Sequence, residues 1–296
     1  MPINDDTIDV QIAVIVLNYF GLADTVKCIN SVQNILKSIV FLIDNSVDQN
    51  ERSKLTEYYQ HDDKIYLLYP SKNLGFAAGV NFAIDAALNK GFKRFLLLNN
   101  DTVLLNGTRE KLNKAFIEWP ASLIAPTIRW NNRLNKGYYY HRFSGLIIQN
   151  RGLKQNGWLF FLSGCALAFD KSFLEQVGYL NEKFFMYGED VELCHRAQEK
   201  RIPIILLDDE LVQHTGSHSA KMASFFYEYH MLRSHFLLCF LLFNNPIKKI
   251  TAILGKSFIL TMRSCYRSGK YHSFAPLMAQ LLAPLPLKIR PKRKTE

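Results

Sequence analysis

IAVIVLNYFG, residues 12–21, is the stretch on which the fold turns. Its first six residues form a continuous apolar run, rich in β-branched side chains and stopped by Asn18-Tyr19-Phe20-Gly21. A short apolar run bounded by turn residues is the pattern of a strand buried on both faces. Outward from it, the chain alternates. Residues 24–36 place Val26, Ile29, Val32, Ile35 and Leu36 on one helical face, and residues 39–43 make a second strand ending at Asp44-Asn45-Ser46. A helix around 52–59, a strand at 65–69, a helix over 76–90 closed by Gly91 and a strand at 95–98 follow, the last ending at Asn99-Asn100-Asp101. Strands alternating with helices predict βαβ units, a parallel sheet covered on both faces and an α/β fold. In such sheets ligands bind beyond the carboxyl ends of the strands. The polar residues there are Asn18, Asp44, Asn73 and Asp101. Each can also be read as a turn or cap residue, but four at successive strand ends favour a site.

The rest of the chain is less regular. Residues 119–157 read as long loops with short strands, and residues 160–169 are apolar around Ser163-Gly164. A short helix at 173–180 precedes Phe184-Phe185-Met186-Tyr187-Gly188-Glu189-Asp190, which leads into a helix over 191–200. A buried strand at 204–207 is followed by a short acidic loop and then His214. The composition, 48% hydrophobic and 21% charged in 296 residues, excludes wholesale disorder and suits one large domain or a domain with an appendage. Five scattered cysteines show no metal-finger or redox spacing, which argues against a disulfide scaffold and for a reducing compartment. Residues 1–9 are polar and acidic and lack the pattern of a secretory signal.

Four constellations can carry chemistry. A carboxylate at a strand mouth, Asp101, can hold a hard cation such as Mg²⁺ or Mn²⁺ if a diphosphate completes the shell. Gly75 opens a helix whose small residues Ala77, Ala78 and Gly79 allow close backbone approach, near Asn73 and Asn81. Tight helix–sheet packing is the alternative reading, and neither the P-loop nor the dinucleotide fingerprint is present. Glu189-Asp190 at a helix start is either an acidic cap or a general base behind an aromatic wall. The helix dipole lowers a carboxyl pKa there, so base strength requires an enclosed site. His214 can ligate the same cation or contact a phosphate. His214 and His218 stand four apart without a helical Glu between them, which argues against a zinc protease.

Together these residues resemble family 2 glycosyltransferases of the GT-A fold, in particular the bacterial rhamnosyltransferase-like branch of O-antigen and capsule synthesis. The matching stretches are VIVLNYFG (14–21), LIDNS (42–46), NLGFAAGVN (73–81), FLLLNNDT (95–102), FLSGCALAF (161–169), FFMYGEDVELCHRA (184–197) and HTGSHS (214–219). The resemblance implies that Asn18 and Asp44 lie against the nucleotide base and ribose, and that Asn73, Gly75 and Asn81 shape the nucleotide-sugar pocket. It implies that Asn99-Asn100-Asp101 occupies the DxD position, with Asp101 binding the metal, His214 near the diphosphate, and Asp190, beside Glu189, as the catalytic base. Asn99 replaces the first acid of that motif, which weakens the metal requirement without removing it. The implied activity is inverting transfer from a nucleotide sugar, dTDP-L-rhamnose first and a UDP-hexose or UDP-galactofuranose next, to a saccharide acceptor linked to a polyprenyl diphosphate.

The tail differs in charge from what precedes it. Residues 230–296 hold twelve Lys and Arg and one acid, Glu296, so the tail carries +11 and the first 229 residues −1. Its apolar runs, 236–243, 250–262 and 271–287, are too short or too interrupted to span a bilayer. Basic amphipathic helices on an anionic leaflet fit better than nucleic acid, because the cations alternate with aliphatic runs. Packing onto the domain is the alternative. The expectation is a catalytic domain over 1–222, a helical membrane-associating extension over 223–296, and a cytoplasmic enzyme peripheral on the inner face of the cell membrane. A sugar-phosphate nucleotidyltransferase would need a Gly-rich loop after the first strand, where Asn18-Tyr19-Phe20-Gly21 stands.

Overall fold

The structure is a computed structural model and describes residues 11–152, 157–216, 224–287 and 289. Residues 1–9, His218, the boundary expected at 222/223 and five of the tail's basic residues lie outside the described residues.

The first half follows the alternation expected. Strands β1 (Ala13–Asn18), β2 (Ile39–Asp44), β3 (Ile65–Leu68) and β4 (Arg94–Asn99) alternate with helices α1 (Leu22–Ile35), α2 (Gln49–Tyr59) and α3 (Gly75–Asn89). They pair in parallel in the order β3-β2-β1-β4. The second half departs from an all-parallel sheet. It contains β5 (Thr102–Leu104), α4 (Thr108–Glu118), β6 (Leu123–Trp130), β7 (Arg133–Asn135), β11 (Ala166–Asp170), α5 (Lys171–Val177), α6 (Glu189–Glu199) and β12 (Ile204–His214). Strand β11 runs antiparallel between β4 and β6, while β12 pairs in parallel with β6 and antiparallel with β5. A three-stranded antiparallel sheet, β8 (Tyr138–His141), β9 (Ile147–Gln149) and β10 (Trp158–Phe161), accounts for much of the stretch read as loop.

The acidic loop expected before His214 is instead strand. Residues 208–213 continue β12 through two register shifts against β6, and His214 is its last residue. Asp208 and Asp209 fall in the first register shift, exposed and outside the β6 ladder, and pair with Lys136 and Lys111, so the ladder resumes at Glu210.

The apolar run of β1 divides between two cores as strand alternation requires. Ala13 and Ile15 join Phe41, Ile84, Phe95, Phe169 and Phe173 on one face; Val14 and Val16 join Val32, Leu55, Leu112 and Phe116 on the other. The carboxyl ends of β1, β2 and β4 meet at one edge of this layer, where the candidate residues gather.

Helices α7 (Phe225–Leu241), α8 (Pro246–Tyr271) and α9 (Ala275–Leu282) form the C-terminal region. The apolar run 236–243 ends α7, and Leu238, Cys239, Leu242 and Phe243 are buried in the first sheet core. Glu228, fully buried, ties α7 to α8 by accepting from Arg263 Nη1 (2.8 Å) and Arg267 Nε (2.6 Å). Among the described residues no helix is long and apolar enough to cross a membrane.

Candidate active site

Beyond β4, the chain turns through Asn99, Asn100 and Asp101 into β5. The Asp101 carbonyl is fixed by Thr215, whose N–H and Oγ1 both donate to it at 2.9 Å. That fixes β12's end against the turn and brings His214 Nε2 to 3.1 Å from Asp101 Oδ1. The contact has ion-pair distance, yet Oδ1 is buried and makes no well-aligned hydrogen bond among the described residues. A buried carboxylate oxygen without a hydrogen bond is costly, and it fits a cation ligand. Burial works against protonation of His214, but the Asp101 carboxylate and the Cys165 sulfur beside it raise its pKa to about 10. Without a metal the pair therefore presents an imidazolium; a bound cation would take the lone pair that this proton occupies. Among the described residues no group of three His, Cys, Asp or Glu side chains can hold a metal ion. Asp101 and His214 would thus be its protein ligands, with the diphosphate and water completing the shell.

The second acidic group is built by a left-handed turn. Tyr187 (φ 67°) and Gly188 (φ 91°) both adopt positive φ, an arrangement glycine tolerates and tyrosine does not favour. A Cβ on Gly188 would lie 3.0 Å from Ser234 Cβ and 3.1 Å from the Phe184 ring. The turn sets Glu189 and Asp190 into the first turn of α6. Asp190 Oδ2 accepts from Gly164 N–H (3.1 Å), and Oδ1 accepts from Val191 N–H (2.8 Å). Burial raises the pKa of both carboxyls, and for Glu189 the Asp190 charge adds to it. The N–H groups of Gly164 and Val191 oppose the rise at Asp190. Enclosure thus outweighs the helix dipole. Asp190 remains partly accessible, whereas Glu189 is buried with Oε2 unpartnered.

Two adjacent residues join the groups. Gly164 donates to Asp190, while Cys165 accepts from Asn99 Nδ2 (3.4 Å) and flanks His214. The turn entering β11 therefore touches both the acidic pair and the Asp101–His214 pair.

Other expected contact residues are placed differently. Asn18 is fully buried: Nδ2 donates to Glu51 Oε1 (3.0 Å), and Oδ1 accepts from Thr25 Oγ1 (2.9 Å) and Gly21 N–H (3.2 Å). It braces the mouth rather than lying open against a base. Asp44 accepts from Ser46 N–H (3.0 Å) and Arg52 Nε (3.2 Å), and its side chain is 1% exposed. Asn81 bonds Leu180 through its carbonyl O and N–H and also donates to Glu182, so it ties α3 to the segment before Phe184. Asn18, Asp44 and Asn81 thus brace the mouth from within the protein, alongside the base, ribose and pocket contacts that the resemblance implies for them. Asn73 is half-buried and accepts from Gly75 N–H (2.9 Å). Gly75 has φ 78°, and a Cβ there would stand 2.4 Å from the Phe185 carbonyl oxygen. Close packing thus explains this glycine: Phe76 N–H donates to the same oxygen at 2.6 Å.

Residues that spacing did not single out complete the frame. Asn45, the neighbour of Asp44, accepts from Leu74 N–H (2.8 Å) and donates to Gly75 O (2.9 Å), joining β2 to the entrance of α3. The aromatic run before Glu189 packs on α7: Phe185 stacks on His230 (4.8 Å), and Tyr187 meets Tyr227 edge-on (5.5 Å). Asn45 sat inside a quoted motif and was findable; the α7 contacts carry no local signal.

The mouth of the sheet thus holds a buried carboxylate–histidine pair and an enclosed acidic pair, on a mixed α/β fold. Residues 12–178, more than half of the chain, match the family described as Glycosyl transferase family 2, and the protein belongs to that family. It is 25% identical over 232 residues to the low-salt glycan biosynthesis hexosyltransferase Agl10 of Haloferax volcanii, covering 68% of this chain and 67% of Agl10. It is 24% identical over 193 residues to the dTDP-rhamnosyl transferase RfbF of Shigella flexneri, covering 62% of each. Among solved structures, GalNAc-T7 with UDP, GalNAc and Mn²⁺ shares the fold, with a TM-score of 0.61 at 13% identity over 77% of this chain and 47% of that one. The protein is thus a family 2 glycosyltransferase of the GT-A fold that uses a nucleotide sugar, with a basic helical C-terminal extension.

Proposed function

We propose that the protein is an inverting glycosyltransferase in which Asp190 is the general base. One observation carries the reading: the adjacent residues Gly164 and Cys165 touch Asp190 on one side and the Asn99–His214 cluster on the other. A sugar held between the two groups has its diphosphate at Asp101 and His214 and its opposite face toward Asp190. Asp190 takes the proton of the acceptor hydroxyl as the new C–O bond forms at the anomeric carbon. The bond to the diphosphate breaks with its electron pair leaving on oxygen, and configuration inverts. A divalent cation, Mg²⁺ or Mn²⁺, supplies charge stabilisation for that leaving group when bound. Burial and the Asp190 charge push the Glu189 carboxyl up to about 8, so Asp190 is the member of the pair that carries the charge a base needs.

The donor we assign is dTDP-L-rhamnose, on the sequence resemblance and on RfbF, with a UDP-hexose as the second reading. The acceptor is a saccharide on a polyprenyl diphosphate, in bacterial surface polysaccharide synthesis. The enzyme then works at the cytoplasmic face of the membrane, with residues 223–296 as the associating extension. The support is α8. Ile247, Ile250, Leu254, Phe258, Met262 and Tyr266 recur every three or four residues, and each is more than half exposed. Such a stripe, with Lys248, Lys249 and Lys270 of the same helix outside the internal pairs of Arg263, Arg267 and Lys256, fits an anionic leaflet.

Asp190→Asn tests the base directly. Transfer in single turnover is expected to fall by about 10² to 10⁴, with donor affinity retained. A variant transferring at the wild-type rate would remove Asp190 from the mechanism.

A further inference from the structure

A cleft of about 520 Å³ lies between the entrance of α3, the segment before Tyr187, α7 and the end of the described chain. Asp101, His214 and Asp190 do not line it, while Asn73, which the resemblance implies shapes the nucleotide-sugar pocket, does. Its floor and walls are largely apolar, including Phe184, Met186, Leu237 and Leu287. Its charged lining is Lys72, Lys183, Arg233 and Glu182. Glu182 already accepts from Asn81 Nδ2 at 2.9 Å. Arg233 is half-buried and uses only Nη1, toward the carbonyls of Ala283 (3.3 Å) and Pro284 (3.5 Å); its Nε and Nη2 have no partner among the described residues. His230 adds no charge, because burial lowers its pKa to about 4. The cleft therefore offers three cations against one engaged acid, above an apolar floor.

The rim continues the apolar surface of the tail. Leu287 lines the cleft and is 39% exposed, and Leu285 (50%) and Leu281 (79%) lead away from it. A ligand matched to this surface has an anionic head with several oxygens and a hydrocarbon chain. Arginine's planar donor fork suits phosphate oxygens, and two flexible lysines can close on the same group.

We propose that this cleft binds the diphosphate head of the lipid-linked acceptor, with the lipid leaving over Leu287 and Leu285. The assignment rests on the glycosyltransferase reading above and adds to it a site for the acceptor, separate from the donor's diphosphate. It also explains why the extension borders the site: α7 supplies Arg233 to the cleft and packs His230 and Tyr227 behind the acidic turn.

The test uses the full chain with farnesyl diphosphate as probe, in EDTA to silence the Asp101–His214 pair. Binding is compared with that of farnesol and inorganic pyrophosphate. Farnesyl diphosphate is expected to bind more tightly than either, and to weaken at least about tenfold in Arg233→Gln and in the exposed pair Lys72→Gln/Lys183→Gln. Uridine diphosphate affinity in Mn²⁺ should stay at the wild-type value in all variants. Unchanged farnesyl diphosphate binding in the lysine pair, or its displacement one for one by uridine diphosphate, would overturn the assignment. Equal weakening toward phosphatidylglycerol vesicles would give the cations to the bilayer and overturn it too. An active enzyme whose acceptor KM is unmoved by these variants would remove the cleft and leave the glycosyltransferase reading intact.

Discussion

The polar residues beyond β1 and β2 and those beyond β4 and at the start of α6 are the same kinds of side chain in opposite conditions. Asn18 and Asp44 are buried with each side-chain oxygen and the Asn18 amide bonded inside the protein. Glu189 is buried with Oε2 unpartnered, Asp101 Oδ1 has the His214 imidazole at 3.1 Å in place of a well-aligned hydrogen bond, and Asp190 keeps access to solvent. Folding tolerates an unpartnered buried acceptor only where something else repays it. On the proposed function, the comparison sets residues that hold the mouth in shape against those offered to a ligand.

The largest expected effect is at Asp101. Asp101→Ala should lower transfer by at least about 10³, the scale of losing a preorganised electrostatic contact in an enclosed site. It should also abolish the Mn²⁺-dependent rise in melting temperature caused by uridine diphosphate. Full metal-dependent stabilisation in the variant would place the cation elsewhere and erase the contrast with Asn18.

Asn18→Ala should act on the other side of the contrast. It leaves Glu51 Oε1 without its donor and the Thr25 hydroxyl without its acceptor, while Thr25 Oγ1 still accepts from Asn100 Nδ2 (3.0 Å), so stability should drop by about 1 to 3 kcal/mol. Donor affinity of the folded fraction should change less than about threefold, on the scale of an indirect effect. Intact stability with lost donor binding would reverse the assignment and make Asn18 a contact residue.

The smallest effect sharpens the comparison from the tail. Lys256 is fully buried, donates to His235 O (3.1 Å) and sits over the Tyr140 ring without a carboxylate partner. Burial lowers its pKa to about 8. The unfolded chain holds that proton up to about pH 10.4, so stability should rise as pH increases from 8 toward 10. Lys256→Met should stabilise the protein at pH 7 by about 1 to 2 kcal/mol, after the lost hydrogen bond is deducted. The gain should vanish above about pH 10, where both states are neutral. Urea unfolding at about pH 7 and about pH 10.5 reads both. A destabilised variant would mean that the His235 carbonyl, the Tyr140 ring and the Cys239 sulfur beside the ammonium outweigh the cost of burying it.

Much of the fold was legible. The runs at 12–17, 39–43 and 95–98 announced strands buried on both faces, because central parallel strands need apolar side chains at every position. Strand β12 was read as ending at 207, since its continuation carries three acids in a row; pairing to β6 and β5 holds it regardless. The order β4-β11-β6 was invisible, as antiparallel insertion depends on long-range pairing rather than local pattern. The apolar run 236–243 pointed to a membrane, yet its residues fill the sheet core; hydrophobicity records the need for burial without naming the partner.

The chain's local chemistry settles the alternation of elements, the strand-end position of Asp101, the helix-start position of Glu189-Asp190 and the basic excess of the tail. Those follow from residue type and spacing, which act over a few residues. Whether a polar side chain is spent or available was decided only in three dimensions. Asn18 meets Glu51, Asp101 meets His214, Asp190 meets Gly164 and Phe185 meets His230 across 33 to 113 positions for the first two and 26 to 45 for the others. Such contacts depend on how the sheet and the extension pack, and no local pattern encodes that packing.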